Sequence, residues 1–159
     1  MAMHTWFECK IRYEKTMENG MNKKVTEPYL VDALSFTEAE ARIIEEMTPF
    51  ISGEFTVSDI KRANYSELFP CEEEAADRWF KCKLVFITLD EKSGAEKKTS
   101  TQVLVQAADL RDAVKKLDEG MKGTMADYQI ASVAETAIMD VYPYSAEPDD
   151  KRPEATIRP

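Results

Sequence analysis

One stretch of this sequence occurs twice, and the repetition limits the fold more than any other feature. Trp6-Phe7-Glu8-Cys9-Lys10-Ile11 returns 73 residues later as Trp79-Phe80-Lys81-Cys82-Lys83-Leu84. Asn19-Gly20 answers to Ser93-Gly94 at an offset of 74, which holds through Leu30-Val31 and Leu104-Val105 to Met47 and Met121. The offset returns to 73 for Phe55-Thr56-Val57 against Tyr128-Gln129-Ile130 and for Glu67-Leu68-Phe69 against Asp140-Val141-Tyr142. Both single-residue shifts fall where loops are expected, as in a true duplication. A period of this length means one supersecondary unit written in tandem.

Each unit reads β-β-α-β. The opening strand alternates Phe7, Cys9, Ile11 and Tyr13 with Trp6, Glu8, Lys10 and Arg12, a period of two that gives a strand one apolar and one polar face. Its counterpart sets Phe80, Cys82, Leu84 and Phe86 against Trp79, Lys81, Lys83 and Val85. Asn19-Gly20 and Ser93-Gly94 supply the left-handed residue of a hairpin turn. Pro28 falls at the start of its strand, where a missing N–H is tolerated.

Ser35 with Glu38, and Asp109 with Asp112, have the spacing of a helix cap and its acid. Phe36, Ala39, Ile43 and Met47 form one apolar helical stripe, and Leu110, Ala113, Val114, Leu117 and Met121 the other. A last strand starts at Phe55 or Tyr128 and runs toward Phe69 or Tyr142, and its alternation slips at Ser58-Asp59 and Ala131-Ser132, which predicts a bulge or bend. The fold class is α+β: antiparallel sheet with both helices on one face and the two units related by a pseudo-twofold axis. The organisation is a first unit over 1–69, an acidic connector over 70–78, a second unit over 79–142 and a Pro-rich disordered tail over 143–159. That tail holds four of the seven prolines and almost no apolar residues.

Chemistry is sparse. The single histidine, His4, lies near a terminus, so a histidine triad or multi-histidine metal site has little to draw on. No phosphate-cradling glycine motif occurs. Cys9 and Cys82 share the apolar face with Phe and Ile and read as small buried hydrophobes. Cys71 lies beside Glu72, Glu73 and Glu74, whose charge blunts a thiol. Consecutive carboxylates do not converge on a cation. A non-enzymatic protein without a cofactor or metal is expected. No apolar run could span a bilayer and no secretory signal is visible, so a reduced, cytoplasmic setting without membrane contact is expected.

The net charge of −9 disfavours a broad grip on nucleic acid. It is uneven: residues 6–69 carry 8 Lys/Arg against 12 Asp/Glu, residues 70–78 contribute −3, and residues 79–142 carry 9 against 10. The nearly neutral second unit leaves room for a local basic patch. Opposite the helix-covered face stand Trp6, Lys10 and Arg12, then Trp79, Lys81 and Lys83, with Leu30 and Leu104 projecting to the same side. These eight are the candidate binding residues. Trp beside cations on an open sheet can stack unpaired bases; the same residues buried against protein would form an interface or core.

The W-F-x-C-K opening, the hairpin and the V-x-A-x-S/D-x-x-E/D-A step from strand to helix resemble a domain-of-unknown-function family found in gut bacteria and their phages and mobile elements. The resemblance covers about residues 3–142. It implies a small cytoplasmic protein linked to mobile-element biology and assigns no residue a role. The reading is a non-catalytic binding or adaptor module with a protein partner or a second copy of itself. The alternative is single-stranded nucleic-acid binding through the Trp/Lys face. A third is sequestration of a small ligand on the pseudo-twofold axis.

Overall fold

The computed structural model describes residues 5–143. His4 and residues 144–159, which hold most of the Pro-rich segment, lie outside them. The elements run β1 (Trp6–Thr16), β2 (Asn22–Asp32), α1 (Phe36–Met47), β3 (Phe55–Ala63), β4 (Glu67–Phe69), β5 (Arg78–Leu89), β6 (Glu96–Ala107), α2 (Leu110–Gly120), β7 (Asp127–Glu135) and β8 (Val141–Tyr142). The element order repeats and so does the register. Phe7 opposes Val31 as Phe80 opposes Val105, and Cys9 opposes Ile60 as Cys82 opposes Val133. The fold is α+β, built from tandem β-β-α-β units.

Local rules account for most of this. Gly20 and Gly94 close the hairpins at φ of 83° and 72°, where a side chain would be strained. The Ser35 hydroxyl accepts from the Glu38 N–H and the Asp109 carboxylate from the Asp112 N–H. Glu38 and Asp112 then reach back to the N–H groups of Leu34 and Ala108, so both helices start in a reciprocal cap. The expected slips are β-bulges. Register shifts between Lys10 and Ile11, where Ser58 is the extra residue, and between Lys83 and Leu84, where Ala131 is.

The sheet arrangement differs from a single antiparallel sheet carrying both helices. There are two four-stranded sheets, ordered β3-β1-β2-β8 and β4-β6-β5-β7, and each carries one helix. Both are mixed, because β8 joins β2 in parallel and β4 joins β6 in parallel. The compact units therefore cut across the repeats. The first runs to Ala63 and resumes at Asp140, and the second spans Asn64–Met139. The expected long last strand breaks in each repeat, and its short end completes the sheet of the other unit.

In the first unit α1 buries Ala39, Ile43 and Met47 against Phe7, Cys9, Ile11, Val31 and Ala33. In the second, Leu117 and Met121 pack on Cys82, Leu84, Val103 and Val105, and Ala113 on Phe80 and Ala107. Each large apolar side chain so buried contributes about 1.5–3 kcal/mol. Phe36 and Leu110, placed in the helical stripes by their spacing, are each 51% exposed. They occupy the first helical position, where the apolar stripe runs off the sheet. Phe36 still meets the Phe7 ring edge-on at 4.9 Å.

The arriving strands are anchored differently. Phe69 of β4 lies against Gly120 so closely that a Cβ there would stand 2.9 Å from its ring. In the first unit the matching helix position is Glu46, and Tyr142 of β8 stacks on Tyr29 at 6.3 Å. One cationic helix position serves both units. Arg42 donates to the Asp32 carbonyl and to the Pro143 carbonyl just past β8, and Lys116 reaches Glu73 just past β4 at 3.0 Å.

Candidate binding surface

Alternation along β1 and β5 sends Trp6, Lys10, Arg12, Trp79, Lys81 and Lys83 to the side away from the helices, and the register brings Leu30 and Leu104 to the same side. Depth then divides the eight. Trp6 and Trp79 are 3% and 4% exposed, and Leu30 and Leu104 are fully buried, although none belongs to a helix-side core. Each sheet is thus covered on both faces at the base of its hairpin. Arg12, Lys81 and Lys83 are exposed and Lys10 is half-buried.

The cations have different neighbours in the two units. Lys10 stands opposite Asp59 in register, an arrangement that balances charge across strands. Arg12 lines an open groove of about 600 Å³ with Glu14, Lys24 and Glu54, so positive and negative groups mix there. Lys81 faces Leu104 and Ala134, and Lys83 faces Gln102 and Ser132. No carboxylate stands in register with either.

Farther out on that face the units part company. Where β1 continues with Arg12, Glu14 and Thr16, β5 continues with Val85, Ile87 and Leu89. Val85 and Ile87 are half-buried and Leu89 is 68% exposed. Ile87 and Leu89 lie beyond the last helix-side contacts of the arm, at Phe86 and Tyr128. Sequence reasoning placed Val85 on this face but stopped there. Carrying the same alternation two steps further would have found Ile87 and Leu89.

Two of the three thiols, Cys9 and Cys82, are enclosed by protein. Burial pushes the Cys9 thiol up to about 12 and the Cys82 thiol up to about 11, so neither offers a thiolate at neutral pH. Cys71 is half-buried, and its N–H donates to the Gln106 side chain. The connector carboxylate Glu73 is ion-paired to Lys116, which also bonds Asp112 at 2.7 Å; that second bond holds the lysine's pKa well above its ordinary value. Glu27 accepts from the hydroxyls of Tyr13 and Tyr29 and pairs with Lys15. Burial, then the Glu27 bond, raise Tyr13 to about 12. Among the described residues no cluster of three or more His, Cys, Asp or Glu side chains could hold a metal ion. No helix among them is long and apolar enough to cross a membrane.

No curated protein matches the chain. A family model described as a domain of unknown function, DUF4494, matches residues 5–144. That match takes in both repeats and every candidate residue, and the chain belongs to this family.

Proposed function

We propose that this protein is a non-catalytic binding module that engages an apolar, acidic protein surface through the hairpin arm of its second unit. The observation that carries this reading is the Val85–Ile87–Leu89 stripe, partly open on a sheet face and continuous with Lys81 and Lys83, which have no carboxylate opposite them in register among the described residues. Half-exposed aliphatic side chains lose little entropy on docking and release water, and lysines at the border favour a partner rich in carboxylates. The test is to place charge in the stripe. Ile87→Lys with Leu89→Lys should leave melting temperature nearly unchanged and abolish the complex formed by the wild-type chain with its cellular partner. A partner that binds the double variant undiminished would refute the reading.

Lys81 and Lys83, with no acid in register, also favour a second reading, a single-stranded nucleic-acid contact. Such contacts usually rest on open aromatic platforms, and Trp6 and Trp79 are buried. Titration with oligothymidylate at rising salt separates the readings, because phosphate contacts weaken steeply with ionic strength and an apolar protein contact does not.

A further inference from the structure

The second unit's arm also has an open strand edge beside its apolar stripe. Backbone direction in a strand alternates, so one outward-facing bond fixes the rest. The Leu30 N–H bonds the Asp140 carbonyl at 3.0 Å. Leu30 therefore turns its backbone away from β1, as do Pro28, Thr26 and Lys24. In the second unit the Gln102 carbonyl accepts from the Ser66 N–H at 2.8 Å, which turns Gln102, Ser100 and Lys98 outward.

The two edges then differ at one matched position. Just beyond β8, the outward residue of β2 is Pro28, which lies inside the strand rather than at its expected start; it has no N–H to give and so interrupts the edge for an added strand. Its counterpart on β6 is Gln102, and the edge continues through Ser100 and Lys98 without proline. The outward backbone groups of Ser100 and Lys98 have no partner among the described residues. The sequence there, Lys97-Lys98-Thr99-Ser100-Thr101, is exposed or half-buried and contains strand-compatible threonines. Among the described residues Lys97 and Lys98 make no ion pair, in keeping with Lys81 and Lys83 on the same arm.

We propose that the free edge of β6 over Glu96–Thr101 accepts an extended segment of a partner protein as an added strand, with acidic residues on the Lys97 face and apolar ones alternating onto the face of Ile87 and Leu89. This deepens the reading of the arm as a protein-docking surface and rests on it. Main-chain bonds to Ser100 and Lys98 supply affinity, and alternate side chains supply selectivity. β4 already joins β6 in this way at Glu67–Phe69, so the added strand would prolong a pairing the chain makes for itself.

The experiment titrates a soluble synthetic dodecapeptide of alternating valine and glutamate into the full chain, followed by amide hydrogen exchange. Wild type should bind and gain protection at Ser100 and Lys98. Ser100→Pro removes one outward donor where β2 tolerates Pro28 nearby, so its melting temperature should hold while binding weakens at least about tenfold. Lys98→Pro provides a second variant should Ser100→Pro fail to fold. Leu89→Lys should weaken binding as well. Binding lost in Leu89→Lys but undiminished in both proline variants would overturn strand addition and leave the docking face standing. No binding to wild type, or tighter binding of a valine–lysine peptide, would overturn the proposal outright.

Discussion

The two hairpin arms share a register and differ in what they show to solvent. On the face away from the helices, the first arm presents Arg12, Glu14 and Thr16, and the second presents Val85, Ile87 and Leu89 at the same positions. At the base of both arms the residues are alike, with Trp6 matching Trp79 and Leu30 matching Leu104, all buried. Duplication preserved what folding needs in both copies, while the tips diverged. Divergence on one shared frame marks where the copies stopped being interchangeable, and the second arm carries the apolar surface that a soluble chain normally keeps small.

That comparison can be broken first at the base of the arms. Trp6→Ala and Trp79→Ala should each cost about 3–5 kcal/mol in chemical denaturation, as large-to-small changes at buried aromatics do. Similar costs at both sites would establish the shared frame; a loss at one site only would end the equivalence. Next in size, Gly120→Ala should destabilise by about 1–3 kcal/mol, because its Cβ would meet the Phe69 ring. Glu46→Ala at the matching position should change stability by less than about 0.5 kcal/mol. Equal melting temperatures for these two variants would mean that β4 and β8 are held alike.

Alkaline pH should separate the units more gently. In the first unit burial raises Cys9, Tyr13 and Tyr142 to about 12 and Tyr29 higher still, and in the second burial raises Cys82 to about 11. Unfolded, these groups ionise at their ordinary values of 9.0 for cysteine and 10.0 for tyrosine. The unfolded chain thus loses protons first, and stability, complete below pH 9, declines as pH climbs toward 12. Pulse proteolysis across that range should cut within residues 5–63 before 64–139. The smallest contrast concerns thiols. Half-buried Cys71 should label well before Cys9 and Cys82, which should react at comparably slow rates; rapid labelling of either would contradict the helix-side packing.

Much of the frame was legible because it is written in short-range patterns. Alternation assigned the faces of β1 and β5, cap residues located both helix starts, and the slips at Ser58 and Ala131 marked the bulges. The destination of the last strand was not legible. Three residues at Glu67–Phe69 and two at Val141–Tyr142 are too few for a period, and strand partnership is a long-range choice. For the candidate surface, alternation told which way Trp6 and Trp79 turn but could not tell whether that side is covered. The stripe beyond Val85 was readable and overlooked, whereas the open edge of β6 needed the Ser66–Gln102 bond to fix its phase.

The exchange of end strands also separates the order in which the chain is made from the order in which its parts are finished. Ribosomes deliver the N-terminal strands first, at roughly 5–20 residues per second. The first unit nonetheless lacks its fourth strand until residues past Asp140 emerge, after all of residues 64–139. The second unit is contiguous and can close its sheet on arrival. For several seconds of synthesis, then, the older half of the protein waits with the outer edge of β2 unpaired, and the younger half is complete before it.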